Sequence, residues 1–209
     1  SYRREFDVPD NWQGRTIFLQ FDGVDSAFYV WVNGQKVGYS QDSRTPAIFD
    51  ITEYLESGKN TLAVEVYRYS DGSYLEDQDF WRLSGIFRDV FLWSTGDTTI
   101  HDYFVRTDLD DGYRDATLQI DFEVQNNSQS ERDCQIRVEL LDENDEVVFE
   151  EITAAIQLAA DDSASVSFEK EITDPAKWSA EQPNLYQLVL TLLAGEKVQE
   201  VQTCRVGFR

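Results

Sequence analysis

The 209-residue sequence predicts an all-β chain made of two domains. Three observations support this fold class. Apolar and polar residues alternate over short segments, turn-forming residues cluster between those segments, and no long amphipathic helical pattern occurs. The length suits two domains of ordinary size, and 41% hydrophobic residues are enough to build their cores.

The first part of the chain shows the alternation that is typical of half-buried strands. Asn33-Gly34 is the strongest short hairpin signal, because both residues readily adopt the left-handed backbone of a two-residue turn. Asp50 is expected to cap a short helical turn that ends at Gly58. Residues 86–93 are apolar on both faces and are therefore expected to be well covered. Strands are predicted here at residues 15–22, 28–32, 36–40, 61–69 and 86–93.

Thr95-Gly-Asp-Thr-Thr99 marks a change of pattern and predicts a boundary between domains at residues 1–96 and 97–209. Beyond it, turn signals separate about seven short strands, which is typical of an immunoglobulin-like sandwich. The Cys…Trp…Cys pattern of antibody domains is not clearly present, because Trp178 lies in a Pro-flanked connection. The strands are predicted at roughly residues 100–107, 116–126, 134–142, 146–154, 164–171, 185–193 and 197–206.

The charge of the chain is strongly negative. Forty acidic residues against eighteen basic ones give a formal net charge of −22. Such a field repels nucleic acid and anionic membranes, so neither is expected as a partner. The sequence also has no run of eighteen apolar residues that could span a membrane.

The two cysteines, Cys134 and Cys204, lie on apolar strand faces and lack the spacing of a zinc site. Buried free thiols are favoured, with a disulfide between two sheets as the alternative. The single histidine, His101, excludes chemistry that needs paired imidazoles and is interpreted as a structural residue.

A long connection separates two predicted strands at residues 70–88. Hairpin loops usually need two to five residues, so this length needs an explanation. The loop interleaves four carboxylates with three aromatic rings, a composition that suits a sugar, since carboxylates accept hydroxyl protons. The alternative is a solvated acidic loop with aromatic side chains folded beneath it. The residues concerned are Asp71, Tyr74, Glu76, Asp77, Asp79, Phe80 and Trp81.

Several segments of the chain carry specific motifs. They are Phe21-Asp-Gly-Val-Asp-Ser-Ala-Phe-Tyr-Val-Trp-Val-Asn-Gly34, Val37-Gly-Tyr-Ser-Gln-Asp-Ser-Arg44, Phe49-Asp-Ile-Thr52, residues 70–88 with Gly85-Ile-Phe-Arg-Asp-Val90, Trp178-Ser-Ala-Glu-Gln-Pro-Asn-Leu-Tyr186 and Val206-Gly-Phe-Arg209. Together these motifs resemble the non-catalytic N-terminal region of family-two glycoside hydrolases, and the long loop resembles the β-galactosidase branch in particular. The resemblance covers essentially the whole chain, in order.

This resemblance implies a jelly-roll sugar-binding domain, then an immunoglobulin-like sandwich, then a barrel that carries the catalytic glutamates. We therefore expect a fragment that begins inside the jelly-roll, without its first strands, and stops about where the barrel begins. Retaining hydrolysis needs two carboxyl groups about 5 Å apart across the bond. No catalytic residue is assigned here, because none of the loop acids has either role in this family.

Carried over from the family, Asp79 is the residue expected to contact the substrate and to ligate a sodium ion. A hard monovalent cation prefers oxygen ligands, so the carboxylate suits that role. The family's magnesium ligands belong to the barrel, and none is expected in this chain.

The neighbours of Asp79 are expected to support the loop. Phe80 and Trp81 are predicted to pack and fix it, and Arg82 to pair with a nearby acid. Asp71 and Asp77 are interpreted as residues that shape the loop.

The expected function is therefore that of a non-catalytic N-terminal part of a β-galactosidase, contributing a loop to the active-site rim. The resemblance implies a β-galactoside substrate, the protein's own barrel as partner, a homo-oligomeric parent and a cytoplasmic location. The alternatives are a free-standing carbohydrate-binding or adhesion module and a purely structural spacer in an oligomer.

Overall fold

The computed structural model describes residues 1–79, 81 and 83–209. The chain divides into two compact units, residues 1–95 and 96–209. Both units consist almost entirely of antiparallel strands, so the predicted all-β fold class is confirmed.

The first unit contains nine strands and three very short helices among its described residues. The strands are β1 (Tyr2–Asp7), β2 (Thr16–Phe21), β3 (Val24–Asp25), β4 (Ala27–Val32), β5 (Gln35–Gln41), β6 (Ala47–Asp50), β7 (Lys59–Tyr67), β8 (Gly85–Ile86) and β9 (Val90–Thr95). The helices are 3-10 turns at Asp10–Trp12 and Thr52–Tyr54 and the single α-helical turn α1 (Gly72–Leu75).

The strands of this unit form a sandwich around one apolar core. One sheet has the order β1-β7-β4-β5, another has the order β6-β2-β9, and β3 pairs with β8. Alternate residues of β2 and β4 point into the core, which explains the period of two in the sequence. The core contains Ile17, Leu19, Phe21, Val24, Phe28, Val30, Val32, Ile51 and Val64.

The hairpin predicted at Asn33-Gly34 is confirmed. Val32 pairs with Gln35 across a two-residue turn, and Asn33 and Gly34 have φ values of 50° and 80°. The side chain of Asn33 also accepts the backbone N–H of Thr61 at 2.8 Å, which ties the turn to the start of β7.

Three local predictions for this unit need correction. The segment around Phe49 forms strand β6, which the sequence reading did not include. Gly58 does not end the 3-10 turn, which stops at Tyr54, although Asp50 accepts the backbone N–H of Thr52 at 2.9 Å as expected of a cap. The predicted strand 86–93 is two strands, β8 and β9, and Phe91 is 40% exposed rather than well covered.

The second unit contains eight strands, one more than predicted. They are β10 (Thr98–Leu109), β11 (Ala116–Asn126), β12 (Arg132–Leu141), β13 (Val147–Ile152), β14 (Ile156–Leu158), β15 (Asp162–Ile172), β16 (Tyr186–Ala194) and β17 (Lys197–Val206). The additional strand, β14, is only three residues long and pairs with β12.

These strands form the predicted immunoglobulin-like sandwich. One sheet has the order β10-β11-β15 and the other has the order β13-β12-β16-β17. Every second residue of β11, β12 and β16 is buried over most of their length, so the two sheets enclose a continuous core. Burial of this apolar surface is the main stabilising contribution to the unit.

The two motifs near the end of the chain pack against each other. Trp178 donates its backbone N–H to the carbonyl of Phe208 at 2.8 Å, and the rings of Tyr186 and Phe208 meet edge to face at 5.2 Å. A Cβ on Gly207 would lie 3.0 Å from the Cβ of Trp178, so the absence of a side chain there permits this close approach.

Both cysteines are free thiols. Cys134 is buried and Cys204 is half-buried, so the disulfide alternative is wrong and the free-thiol interpretation holds. Burial, with a smaller effect of the Asp133 charge, raises the pKa of the Cys134 thiol to about 11. The part of the chain that the structure describes contains no helix with the length and hydrophobicity of a membrane span.

Candidate functional site in the acidic loop

The acidic loop connects β7 to β8 and contains the single α-helical turn of the described chain, α1. The loop begins at the end of the long strand β7. It ends at β8, which pairs with β3 so that Gly85 lies opposite Asp25. The loop is therefore fixed to the sandwich at both ends, in the manner of binding loops that are supported by a rigid scaffold.

The beginning of the loop is fastened by serine hydroxyl groups. Ser26 is 1% exposed; its Oγ donates to the carbonyl of Tyr67 at 3.1 Å and lies 2.8 Å from the Oγ of Ser70. Ser73 accepts the backbone N–H of Ser70 at 3.1 Å and donates to the carbonyl of Arg68. These bonds satisfy polar groups at the turn that leads into α1.

The middle of the loop is fastened by Glu76. One of its carboxylate oxygens accepts the backbone N–H of Ser43 at 3.0 Å, although the two residues are 33 positions apart. Ser43 is 2% exposed, so its N–H is a buried donor that needs an acceptor. The bond joins α1 to the chain between β5 and β6.

A cavity of about 300 Å³ lies beside the loop. Its walls combine both signs of charge with aromatic rings, which is the chemistry that recognises a neutral polyol such as a sugar. The lining residues are Asp25, Ser43, Arg44, Arg68, Tyr69, Gly72, Ser73, Tyr74, Glu76, Asp77, Gln78, Trp81 and Ser84.

A second cavity of the same unit, about 900 Å³, has a different character. It is lined mainly by apolar side chains, among them Trp12, Leu19 and Leu92. Its charged lining residues all belong to the edge strand β1. Its lining is less polar than that of the cavity beside the acidic loop, which is therefore the better candidate site for a sugar. Asp79 is not among the described residues that line this better candidate.

Asp79 lies three residues beyond Glu76 and is exposed to solvent. Its side chain makes no hydrogen bond or ion pair with another described residue, so the carboxylate is available to an external group. Within the described residues, no group of three or more His, Cys, Asp or Glu side chains could hold a metal ion.

The predicted roles of the neighbouring residues differ from the structure in one respect. Trp81 is 81% exposed and does not pack to fix the loop, so that prediction is wrong. Phe80 and Arg82, for which packing and ion-pairing were predicted, lie outside the described residues. Asp71 precedes α1, but its side chain makes no capping hydrogen bond.

The role of Glu76 is not predicted from the sequence, because neither its residue type nor its spacing distinguishes it from the other loop acids. Its partner is a backbone N–H in a distant turn, and no sequence pattern reports such a contact.

Two family descriptions match the chain. Residues 1–96 match "Glycosyl hydrolases family 2, sugar binding domain", and residues 98–209 match "Glycosyl hydrolases family 2". Together they cover both compact units.

Similar curated proteins include a β-galactosidase from Priestia megaterium and another from Halalkalibacterium halodurans. The first is 50% identical over 213 residues and the second is 44% identical over 210 residues. In both, the match covers 100% of this chain and 20% of the relative. The chain thus spans about a fifth of the length of the curated relatives it matches.

Similar solved structures include a Bacteroides uniformis β-glucuronidase bound covalently to a cyclophellitol-type aziridine. It has a TM-score of 0.89 and 25% identity, over 99% of this chain and 26% of that one. A β-galactosidase-like structure from Bacteroides fragilis has a TM-score of 0.86 at 20% identity, covering 99% of this chain and 32% of that one, and supports the fold alone. Proteins that are named for different sugars thus share this fold, so the fold itself does not determine which sugar is bound.

Proposed function

Because the chain belongs to family 2 of the glycosyl hydrolases, we propose that it is the non-catalytic N-terminal part of a β-galactosidase that hydrolyses terminal β-D-galactosides. The observation that carries the proposal is 50% identity to a β-galactosidase across the whole chain. Solved structures with the same fold include β-glucuronidases, so sequence similarity, and not fold, favours galactose.

In this proposal the acidic loop completes the rim of a site whose catalytic carboxyl groups lie in a barrel outside this chain. Asp79 would accept hydroxyl protons of the sugar, because it is exposed and its carboxylate has no partner among the described residues. The anchors at Ser26 and Glu76 support this role, since a group that contacts the reacting sugar must be held in place.

A sodium ion would be held jointly in the full-length enzyme. Asp79 would contribute one oxygen ligand, and the remaining ligands would come from the barrel or from the sugar. The ion would supply a positive charge beside sugar hydroxyls when bound. We assign no magnesium ligand to this chain, and we place that site in the barrel as well.

The parent is further proposed to be a cytoplasmic homo-oligomer. Size-exclusion chromatography with light scattering on the parent, together with cell fractionation, would test both statements. A monomeric or secreted parent would contradict them.

The proposal predicts that the chain of residues 1–209 hydrolyses no chromogenic β-galactoside. The full-length parent at the same molar concentration serves as the positive control. Turnover that rises in proportion to the purified 209-residue chain would contradict the proposal.

The second candidate function is a free-standing carbohydrate-binding or adhesion module. The exposed rings of Tyr74 and Trp81 favour it, because such rings can stack on sugar faces. Calorimetric titration of residues 1–209 with galactose or lactose separates the two functions. We expect weak or undetectable binding, whereas a millimolar or tighter dissociation constant would favour the module.

A further inference from the structure

The structure assigns Glu76 a role that neither the sequence nor the family match indicates: we propose that it is a positioning residue for Asp79. The proposal rests on the proposed function, in which Asp79 contacts the substrate. Asp79 makes no hydrogen bond or ion pair with another described residue. Its position therefore depends on the anchored parts of the loop on either side.

One described anchor on the N-terminal side is the bond from the Ser43 N–H to the Glu76 carboxylate, at 3.0 Å. On the other side, the next strand pairing begins only at Gly85, six residues after Asp79. Glu76 is three residues away, so a displacement at Glu76 passes to Asp79 through a very short stretch of chain.

The chemistry of this anchor favours a carboxylate. A bond between an ionised acceptor and a backbone N–H is stronger and shorter than one between neutral groups. Because Ser43 is 2% exposed, water is a poor substitute for the missing acceptor. The amide oxygen of glutamine could still accept this N–H, whereas alanine could not.

Gly72 belongs to the same arrangement. A Cβ at this position would lie 2.8 Å from a carboxylate oxygen of Glu76 and 3.3 Å from the Oγ of Ser70. The flexible end of the Glu76 side chain is the part that would move. The clash is with Oε1 of Glu76, whereas the Ser43 N–H is bonded to Oε2. Gly72→Ala therefore requires the carboxylate to shift without removing it, which makes it a second perturbation of the anchor.

The test is a double-mutant cycle in the full-length parent enzyme. The measured quantity is kcat/KM for a chromogenic β-galactoside in variants at positions 76 and 79, alone and combined. We expect Glu76→Ala and Gly72→Ala each to lower kcat/KM by about 10-fold or more, since misplacement by about 1 Å can cost as much as 100-fold. Glu76→Gln should stay within about 3-fold of the parent, because it keeps an acceptor oxygen.

In an Asp79→Ala background, Glu76→Ala should change kcat/KM by less than about 2-fold, because there is no carboxylate left to position. Glu53→Ala is the matched control: it removes an exposed acid of the same unit that makes no contact with another described residue. Hydrogen exchange at the Ser43 amide gives a readout that does not depend on activity. That amide should exchange slowly in the parent and in Glu76→Gln, and measurably faster in Glu76→Ala.

Equal losses from Glu76→Ala with and without Asp79 would overturn the positioning role, because the residue would then act independently of Asp79. If Glu76→Ala does not fold, the same cycle with Gly72→Ala decides the question. If Asp79→Ala alone leaves kcat/KM unchanged, the proposed function of Asp79 fails instead. A large effect of Asp79→Ala with no effect of Glu76→Ala overturns only the positioning role.

Discussion

Asn60 at the start of β7 is predicted to be one of the most stabilising polar residues of the first unit. It is 0% exposed, and its side chain makes four hydrogen bonds. It accepts from the Asn33 side chain at 2.7 Å and from the Glu56 N–H at 2.8 Å, and it donates to the carbonyls of Glu56 and Gly58 at 3.1 and 3.0 Å. The network closes the turn that precedes β7, the strand from which the acidic loop departs.

Asn60→Ala removes all four bonds. A net contribution of about 1 kcal/mol for each bond gives about 4 kcal/mol before any bond to water is recovered. The exposed backbone groups of Glu56 and Gly58 can partly recover bonds to water, so we expect a loss of about 3 kcal/mol in the free energy of unfolding. With a urea m value of about 1–3 kcal/mol/M, the midpoint should fall by about 1–3 M.

Urea unfolding followed by tryptophan fluorescence is the appropriate assay. Four of the five tryptophans lie in residues 1–95, and the fifth is Trp178, so the signal reports mainly the first unit. Asn11→Ala is the control, since Asn11 is an exposed asparagine of the same unit without a side-chain bond to a described residue. Equal midpoints for the two variants would refute this account of the network.

Two further predictions concern packing and thiol chemistry. Gly38→Ala should destabilise the first unit by about 1–3 kcal/mol, because its Cβ would lie 2.6 and 2.8 Å from ring carbons of Phe49. An unfolding free energy of the first unit equal to that of the unsubstituted chain would contradict the clash. In a Cys204→Ser variant, the remaining thiol, Cys134, should react with a disulfide reagent at pH 8 at least about 100-fold more slowly than a free thiol, because burial raises its pKa from 9.0 to about 11. Since this pKa is raised in the folded state, the thiol's contribution to stability should be present below pH 9 and lost as the pH rises from 9 towards 11. Rapid labelling, or a pH-independent unfolding midpoint over that range, would contradict the burial argument.

Local features of the fold could be predicted because they depend on local chemistry. The turn at Asn33-Gly34 requires two consecutive residues with positive φ, and few other pairs of residues adopt it readily. The alternation in β11 and β12 follows from burial of one face of each strand.

Features that depend on distant partners could not be predicted. β6 exists because Phe49 pairs with Leu19 in β2, 30 residues earlier, and its four residues carry no strong strand signal of their own. The apolar run at residues 86–93 indicates one strand. In the structure β8 pairs with β3 whereas β9 pairs with β2, so the strand is interrupted where its pairing partner changes.

The candidate site shows the same division. The composition of the acidic loop left a sugar-binding loop and a solvated structural loop as alternatives, and the resemblance favoured the first and selected Asp79. The exposure of Trp81 and the bond between Glu76 and Ser43 became visible only in three dimensions. Both depend on the path of the loop over the sandwich, which no local pattern determines.

The central claim is that Asp79 contacts the sugar in a parent β-galactosidase. The most direct measurement is kcat/KM for a β-galactoside in full-length Asp79→Ala, with Asp71→Ala as a control for loss of an exposed acid from the same loop. We predict a fall of about 100- to 1,000-fold for Asp79→Ala, as expected when a group that stabilises the transition state is removed, and less than about 3-fold for Asp71→Ala. Unchanged kcat/KM in Asp79→Ala, with the enzyme folded and the sodium response intact, would contradict the claim.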